Sequence, residues 1–181
     1  MSTLEDTAVA MLAALPAGAR VLELGCLRWE EDRPTHHARW IPAGVEHVRS
    51  DIVAGPDVDV PADAHDLAPF PDESFDALVA CSVWEHLERP WIAADAARRV
   101  LKPGGFALID THQTFPIHGY PHDYFRFTTE AMGVLFGAGW EMIDSGYAFP
   151  CRIDHLGQMA VWNDAAEAFL NVQHLARRVG P

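Results

Sequence analysis

The chain has 181 residues, of which 49% are apolar and 22% charged, and its formal net charge is −13. This length suits one globular domain with a sizeable core, so we expect a single domain over residues 1–181. The excess of 26 acidic over 13 basic side chains, without a large Lys/Arg cluster, argues against a nucleic-acid surface, which needs basic groups to neutralise phosphates. We therefore expect a small-molecule substrate, or one carried by a partner.

A membrane-spanning segment and disulfide bonds are also not expected. No apolar run approaches the roughly 18 residues that a membrane span needs, and the first residues, MSTLEDTAVAML, are acidic where a signal peptide would be basic. The three cysteines, Cys26, Cys81 and Cys151, are far apart and lack zinc-like spacing. These features predict a cytoplasmic protein with reduced thiols.

The chain alternates strand and helix patterns. Residues 3–14 predict a helix capped by Thr3, a second helix begins at Pro90 and stops before Pro103, and TTEAMGVLFGAG predicts a third. The apolar spacing of the last residues predicts a closing helix over about 161–178. The predicted strands are, in chain order, ARVLELG, VEHVRSDI, DVDVPADA, SFDALVACSV, FALIDTH and WEMIDSGYAF. Together they predict a doubly wound, largely parallel, Rossmann-like α/β sheet with helices on both faces.

In such a sheet, ligands bind beyond the carboxyl ends of the strands. Acidic residues follow several of these strands, and burying them unpaired would be costly, so they suit a ligand that offers hydroxyls, amines or positive charge. The residues at these ends are Glu23, Gly25, Cys26, Asp51, Asp63, Ala64, Cys81, Ser82, Val83, Trp84, Asp110, Thr111 and His112.

Four segments carry a resemblance to a known family. VLELGC, SDI, DAHDLAPFPDESFDALVACSVWEHL and RRVLKPGGFALID occur in an order and spacing that resemble the class I S-adenosylmethionine-dependent methyltransferases. The likeness is to the small-molecule group with the LPFPDxSFD, EH and LKPGG signatures, and it covers about residues 18–150. A later segment, HGYPHDYFRFT, is similar to one found in a branch of that group.

The resemblance implies S-adenosylmethionine as cofactor and S-adenosylhomocysteine as product. It places Gly25 in a loop that approaches the cofactor closely, Asp51 on the ribose hydroxyls and Asp63 on the adenine amine. Asp51 as a turn acid and Asp63 in a local turn network remain alternatives. The implied cofactor-binding residues are Glu23, Gly25, Cys26, Asp51, Ile52, Asp63, Ala64, Cys81, Ser82 and Val83.

Two residues depart from that family. Leu27 stands where members commonly carry a second glycine, so its side chain is expected to narrow the loop or reshape the pocket. Trp29 is either an aromatic side chain that covers the sheet or a pocket wall near the sulfonium. Since the cofactor has no phosphate, a full glycine-rich cradle is not required.

Methyl transfer depends mainly on alignment and the exclusion of water, and a general base is optional. The candidates for a base or a substrate-binding group are His112, His118 and His122, with loop-fixing hydrogen bonds as the alternative. Asp123 and Arg126 are predicted to form an ion pair that fixes this loop as a substrate lid.

Other polar residues are expected to be structural. Glu85 and His86 are interpreted as a hydrogen-bonded pair, and His36-His37 as exposed or lid residues. His118 and His122 have a metal-like spacing, but Gly119 and Pro121 interrupt it, so no metal site is predicted.

Two alternatives to a methyltransferase stay open. One is a protein of the same fold that binds the cofactor without transferring methyl, either a cyclase-like enzyme or a non-catalytic partner subunit. The other, a hydrolase, is disfavoured because the sequence has no GxSxG elbow. A homodimer or a complex with a partner subunit also stays open.

Overall fold

The computed structural model describes residues 3–27, 38–119, 122–153 and 168–180. The first helix, α1, spans Leu4–Ala13 and begins at the predicted cap. The side chain of Thr3 accepts a hydrogen bond from the Asp6 backbone N–H (3.1 Å), and the Asp6 carboxylate accepts one from the Thr3 N–H (2.9 Å). This reciprocal capping box satisfies backbone donors that the first turn leaves without helical partners.

Seven strands form one sheet in the order β3-β2-β1-β4-β5-β7-β6. Strand β7 is antiparallel to both of its neighbours, whereas the pairings among β1 to β5 are parallel. The Rossmann-like fold class is therefore confirmed. The strands are β1 (Arg20–Leu24), β2 (Glu46–Asp51), β3 (Val60–Pro61), β4 (Phe75–Cys81), β5 (Leu101–His112), β6 (Trp140–Cys151) and β7 (Ala168–Arg178).

Helices cover both faces of this sheet. Helix α1 packs with side chains such as Val21 and Leu108, while α2 (Pro90–Val100) and α3 (Thr129–Leu135) lie in the cluster that contains Leu22. Neighbouring residues of β1 thus point to opposite sides, as the pleat of a strand requires. Two short 3-10 helices, Ala38–Trp40 and Trp84–His86, complete the described elements, and no described helix has the length and apolarity to cross a membrane.

The predicted closing helix is wrong over Ala168–Arg178, which forms β7. The apolar spacing of this segment fits either structure, but two strands flank it and take up its backbone hydrogen bonds. Its side chains at Asn171 and Gln173 donate to the buried Asp110 carboxylate of β5 (2.5 and 2.7 Å). These contacts exist only in the sheet, so tertiary pairing overrides the helical pattern. Residues 161–167 lie outside the described residues.

Strand β5 begins earlier than predicted. Its pairing with β4 starts at Leu101 and shifts register between Phe75 and Ala77. A Cβ atom on Gly105 would lie 2.9 Å from the Asp76 carbonyl oxygen, so this irregular crossing requires glycine.

Candidate functional site

The loop after β1 is closed tightly around Gly25. This residue has a φ of 75°, and its N–H donates to the Ser50 carbonyl oxygen (2.9 Å). A Cβ atom here would lie 2.3 Å from Cγ2 of Val83, which follows β4. Both the left-handed backbone and the close approach therefore select glycine, and they bring the ends of β1, β2 and β4 together.

Asp51 ends β2 and faces this loop. Its Oδ2 accepts from the Leu27 N–H (3.1 Å) and its Oδ1 from the Val53 N–H (3.2 Å). Each carboxylate oxygen still has a lone pair to offer. The adjacent side chains of Ile52 and Val53 are 57% and 47% exposed. An oriented carboxylate beside an exposed apolar surface suits a ligand that combines hydroxyls with an apolar ring.

The half-buried side chain of Leu27 packs against the connection between β2 and β3. A Cβ atom on Gly55 would lie 2.4 Å from Leu27 Cδ1, so Gly55 provides the space that this side chain fills. The bulk at Leu27 is thus accommodated by a glycine elsewhere in the chain. Trp29, His36 and His37 lie outside the described residues.

Two of the predicted cofactor-binding residues, Cys26 and Glu23, are buried beneath the loop. The Cys26 thiol donates to the Asp57 carbonyl oxygen (3.5 Å), and burial, reinforced by the charge of Glu23, raises its pKa to about 12. Cys26 therefore stays a neutral thiol. The Glu23 carboxylate is buried as well and lies 2.7 Å from Nε2 of His47, so one of its oxygens is already engaged.

Asp63 lies after β3 in a local turn network. Its Oδ1 accepts from the backbone N–H of His65 (2.9 Å) and from His65 Nδ1 (2.7 Å). His65 Nε2 in turn accepts from the Arg89 N–H (3.3 Å), which places the ring proton on Nδ1. Partial burial opposes ionisation of Asp63, but the His65 hydrogen bonds outweigh it and hold its pKa below the usual value. Asp63 thus belongs to a local turn network, which was the alternative to binding the adenine amine. Half-buried Ala64 follows Asp63.

The end of β4 carries a strained residue. Ser82 has a φ of 54°, is exposed, and donates its N–H to the Asp110 carbonyl oxygen (2.8 Å). Non-glycine residues in this region are uncommon and concentrate at functional sites. The preceding thiol of Cys81 has a raised pKa, because burial and the nearby Asp110 charge disfavour the thiolate.

Glu85 is a functional candidate, although its sequence context predicts a structural role. Its side chain is fully buried, and its Oε2 accepts from the Thr111 hydroxyl (2.7 Å). His112 Nε2 lies 3.0 Å from Oε1, whereas His86 Nε2 lies 3.8 Å away, too far for a hydrogen bond. The predicted Glu85–His86 pair is therefore wrong. The true neighbours come from β5, which the fold places beside β4.

His112 has a defined orientation at the end of β5. Asn171 Nδ2 donates to Asp110 Oδ1 (2.5 Å), so Asn171 Oδ1 faces His112 Nδ1 (3.1 Å). The ring proton therefore lies on Nδ1, and Nε2 keeps a lone pair close to Glu85 Oε1. Burial lowers the pKa of His112, with the Glu85 charge opposing this, and the ring stacks on Phe115 at 4.0 Å between centroids.

The loop after β5 is fixed by the predicted ion pair, which is confirmed. Arg126 Nη1 and Nη2 donate to the two oxygens of Asp123 (2.5 and 2.7 Å), and this lowers the Asp123 pKa well below its usual range. Asp123 also accepts from the His118 backbone N–H (2.9 Å). The rings of His118 and His112 lie 5.1 Å apart. The His122 ring lies instead beside Tyr124, at 5.4 Å.

Sequence comparisons with known proteins bear on the family that this chain resembles. The family described as a methyltransferase domain matches residues 42–109, and this segment is less than half of the chain. A 41-residue segment is 42% identical to an uncharacterized methyltransferase of Mycolicibacterium vanbaalenii; it represents 23% of this chain and 16% of that relative. Both likenesses support the methyltransferase superfamily.

Solved structures share the fold over nearly the whole chain. YcgJ of Bacillus subtilis has a TM-score of 0.68 at 17% identity, with 97% of each chain covered. A Burkholderia thailandensis 1,6-didemethyltoxoflavin-N1-methyltransferase, solved with bound 1,6-didemethyltoxoflavin and S-adenosylhomocysteine, has a TM-score of 0.66 at 17% identity. The match covers 99% of this chain and 80% of that one. A complex of the Haloferax volcanii Trm112 methyltransferase activator contains a third relative, with a TM-score of 0.65, 17% identity and 98% and 89% coverage. The fold is that of the Rossmann-like methyltransferases.

Proposed function

We propose that the protein binds S-adenosylmethionine beyond the ends of β1, β2 and β4 and transfers its methyl group to a small molecule. The observation that carries the proposal is the arrangement around Gly25 and Asp51: a tight loop that only glycine permits, facing an oriented carboxylate. The methyltransferase-domain match and the S-adenosylhomocysteine complex of one structural relative support the choice of cofactor.

The residues present fit this cofactor. Asp51 would accept hydrogen bonds from the ribose hydroxyls, and Ile52 would pack against the adenine with its exposed side chain. Asp63 Oδ2 has no hydrogen-bond partner among the described residues and would accept from the adenine amine. The backbone near Gly25, together with Cys81, Ser82 and Val83, would contact the methionine part. The bound cofactor would supply an activated methyl group on its sulfonium.

The substrate would lie over the ends of β4 and β5. There His112 and His118 lie together, and the segment fixed by Asp123 and Arg126 would exclude water and position the nucleophile. Of the three predicted imidazoles, this geometry favours His112 and His118 over His122. Because Gly55 provides space for Leu27, the bulk of this side chain gives no reason to prefer a protein that binds the cofactor without transferring methyl.

Asp51→Asn tests the cofactor site. We expect it to weaken S-adenosylhomocysteine binding at least about tenfold, because a charge-assisted hydrogen bond to the ribose is lost. Titration calorimetry measures this, with Asp144→Asn on β6 as a matched control that removes an acidic side chain far from the loop. An unchanged dissociation constant in Asp51→Asn would count against the ribose assignment.

Methyl transfer itself is tested with isotopically labelled S-adenosylmethionine and a metabolite pool. Label that appears in a small molecule supports the proposal, and tight cofactor binding without any label transfer contradicts it. Light scattering, run with and without candidate activator proteins, decides between a single chain, a homodimer and a complex with a partner subunit.

A further inference from the structure

We propose that Glu85, His112 and His118 form a binding site for one divalent transition-metal ion. One ligand atom from each of these side chains lies within 4.8 Å of the others. Two imidazoles and a carboxylate are a donor set that suits zinc and the neighbouring divalent metals. The sequence spacing does not indicate this site, because the 3-10 helix Trp84–His86, β5 and the loop after β5 each contribute one residue.

The unusual feature is an oxygen that lacks a donor. Glu85 Oε1 is fully buried and has no aligned hydrogen-bond donor among the described residues. His112 Nε2 lies only 3.0 Å from it and presents a lone pair, because the His112 proton is held at Nδ1 by Asn171. Two acceptor atoms this close together in a buried site repel each other unless a proton or a cation lies between them.

The spacing of these atoms suits a cation. Two ligand atoms about 2.1 Å from one ion are separated by about 3.0 Å at an angle of about 90° and by about 3.4 Å at the tetrahedral angle. The observed separation of His112 Nε2 and Glu85 Oε1 is also 3.0 Å. The two atoms therefore need to move apart by no more than about 0.4 Å to bind the same ion.

His118 is held in the same manner as His112. Its Nδ1 lies 3.2 Å from the Pro116 carbonyl oxygen, which accepts the Nδ1 proton and leaves Nε2 available. The backbone of His118 is fixed by Asp123. Metal-binding imidazoles commonly donate their other N–H to such an oxygen, since this sets the tautomer and orients the ring.

His86 is a candidate for a fourth ligand. Its Nδ1 donates to the His122 carbonyl oxygen, and its Nε2 lies 3.8 Å from Glu85 Oε1. Three imidazoles thus have Nδ1 engaged by an oxygen while Nε2 remains available near one carboxylate. With three protein ligands the site keeps a coordination position open to water or to a substrate atom, whereas binding of His86 would close a tetrahedral site.

The ion would lie beside the proposed methyl-transfer site, since Glu85 is two residues beyond Val83, which packs over Gly25. If the proposed function is right, an open coordination position would hold an oxygen or nitrogen of the substrate and lower its pKa. His112 would then be a metal ligand and not a base. Metal binding itself does not depend on the proposed function and can be measured without cofactor.

The test uses the full chain, stripped with a chelator and dialysed separately against Zn²⁺ and Co²⁺. We expect one tightly bound ion per chain by mass spectrometry of the metal, and Co²⁺ absorption bands that indicate imidazole and carboxylate ligands. His118→Gln changes a side chain on the loop and should weaken binding at least about tenfold, and Glu85→Gln should do the same. His65→Gln, which removes an imidazole beside a different carboxylate, should leave the affinity unchanged.

Circular dichroism shows whether each variant is folded, and His118→Gln keeps the test decisive if the buried Glu85→Gln variant unfolds. Absence of a stoichiometric ion, or equal affinity in wild type and His118→Gln, would overturn the proposal. A metal-free protein that binds S-adenosylhomocysteine normally but no Zn²⁺ would refute the metal site alone. Zn²⁺ binding without any cofactor binding would refute the proposed function alone.

Discussion

Buried His174 should make the stability of the protein fall on mild acidification. This side chain is fully buried in β7 beside the ring of Phe136, 5.2 Å between centroids. Ser145 donates its hydroxyl to the Gln173 carbonyl oxygen (3.3 Å), so it accepts from His174 Nδ1 (3.1 Å). His174 Nε2 has no partner among the described residues. Protonation would place an N–H without an acceptor in this apolar site, and burial lowers the His174 pKa from 6.5 to about 4.

The sign and size of the effect follow from linkage. In the unfolded chain His174 is protonated below about pH 6.5, whereas in the folded chain it stays neutral down to about pH 4. The free energy of unfolding therefore decreases as the pH falls between these values. At about 1.4 kcal/mol per pKa unit, the free energy of unfolding should fall by about 2 kcal/mol between pH 7 and pH 5 from this group alone.

Urea denaturation of wild type and His174→Phe at both pH values isolates this contribution. The variant keeps a planar ring beside Phe136 and leaves the Ser145 hydroxyl with its Gln173 acceptor. Other titrating groups are common to both proteins and cancel in the difference. Wild type should therefore lose about 2 kcal/mol more than the variant between pH 7 and pH 5. Parallel losses in the two proteins would refute the assignment of the shift to His174.

Two predictions concern the glycines of the site. Gly25→Ala should lower the free energy of unfolding by at least about 1–2 kcal/mol, because a left-handed residue gains a Cβ in contact with Val83. The same variant should weaken S-adenosylhomocysteine binding in calorimetry. A variant with the melting temperature and affinity of wild type would contradict this prediction. Gly55→Ala should be destabilising in wild type but better tolerated with Leu27→Ala, and a double-mutant cycle by urea denaturation should give a coupling of at least about 0.5 kcal/mol. Additive effects would show that the two residues do not share that space.

Local signals in the sequence were sufficient for most of the fold. The cap at Thr3 and the proline at the start of α2 act within a few residues, and the structure begins both helices where these signals predict. The parallel strands β1 to β5 have short apolar runs and turn residues at their ends, so their existence and order could be predicted. Strand β7 could not, since its apolar spacing fits a helix and its identity depends on partners distant in sequence. The spacing of Asn171 and Gln173, two residues apart, was the available signal for a strand.

The candidate site likewise contains contacts that the sequence predicts and contacts that it does not. Gly25 and Asp51 could be predicted because the carboxyl ends of parallel strands meet at one edge, so position along a strand is sufficient to bring them together. The approach of Leu27 to Gly55 depends on the path of the connection between β2 and β3, which no local pattern specifies. Glu85 was assigned to its sequence neighbour His86, whereas the sheet places it against Thr111 and His112.

The error at β7 and the missed cluster around Glu85 have a common origin. If Ala168–Arg178 formed a helix, Asn171 would not lie beside Asp110, and it would not hold the proton of His112 at Nδ1. As a strand, it aligns Asn171 with His112, and the buried Asp110 carboxylate orients the amide. The unprotonated Nε2 of His112 is thereby left close to the Glu85 carboxylate, which already accepts from Thr111. Strand β7 thus determines which ring nitrogen of His112, on the neighbouring strand β5, carries the proton. Motifs considered one at a time cannot predict this, because it depends on the pairing of two strands.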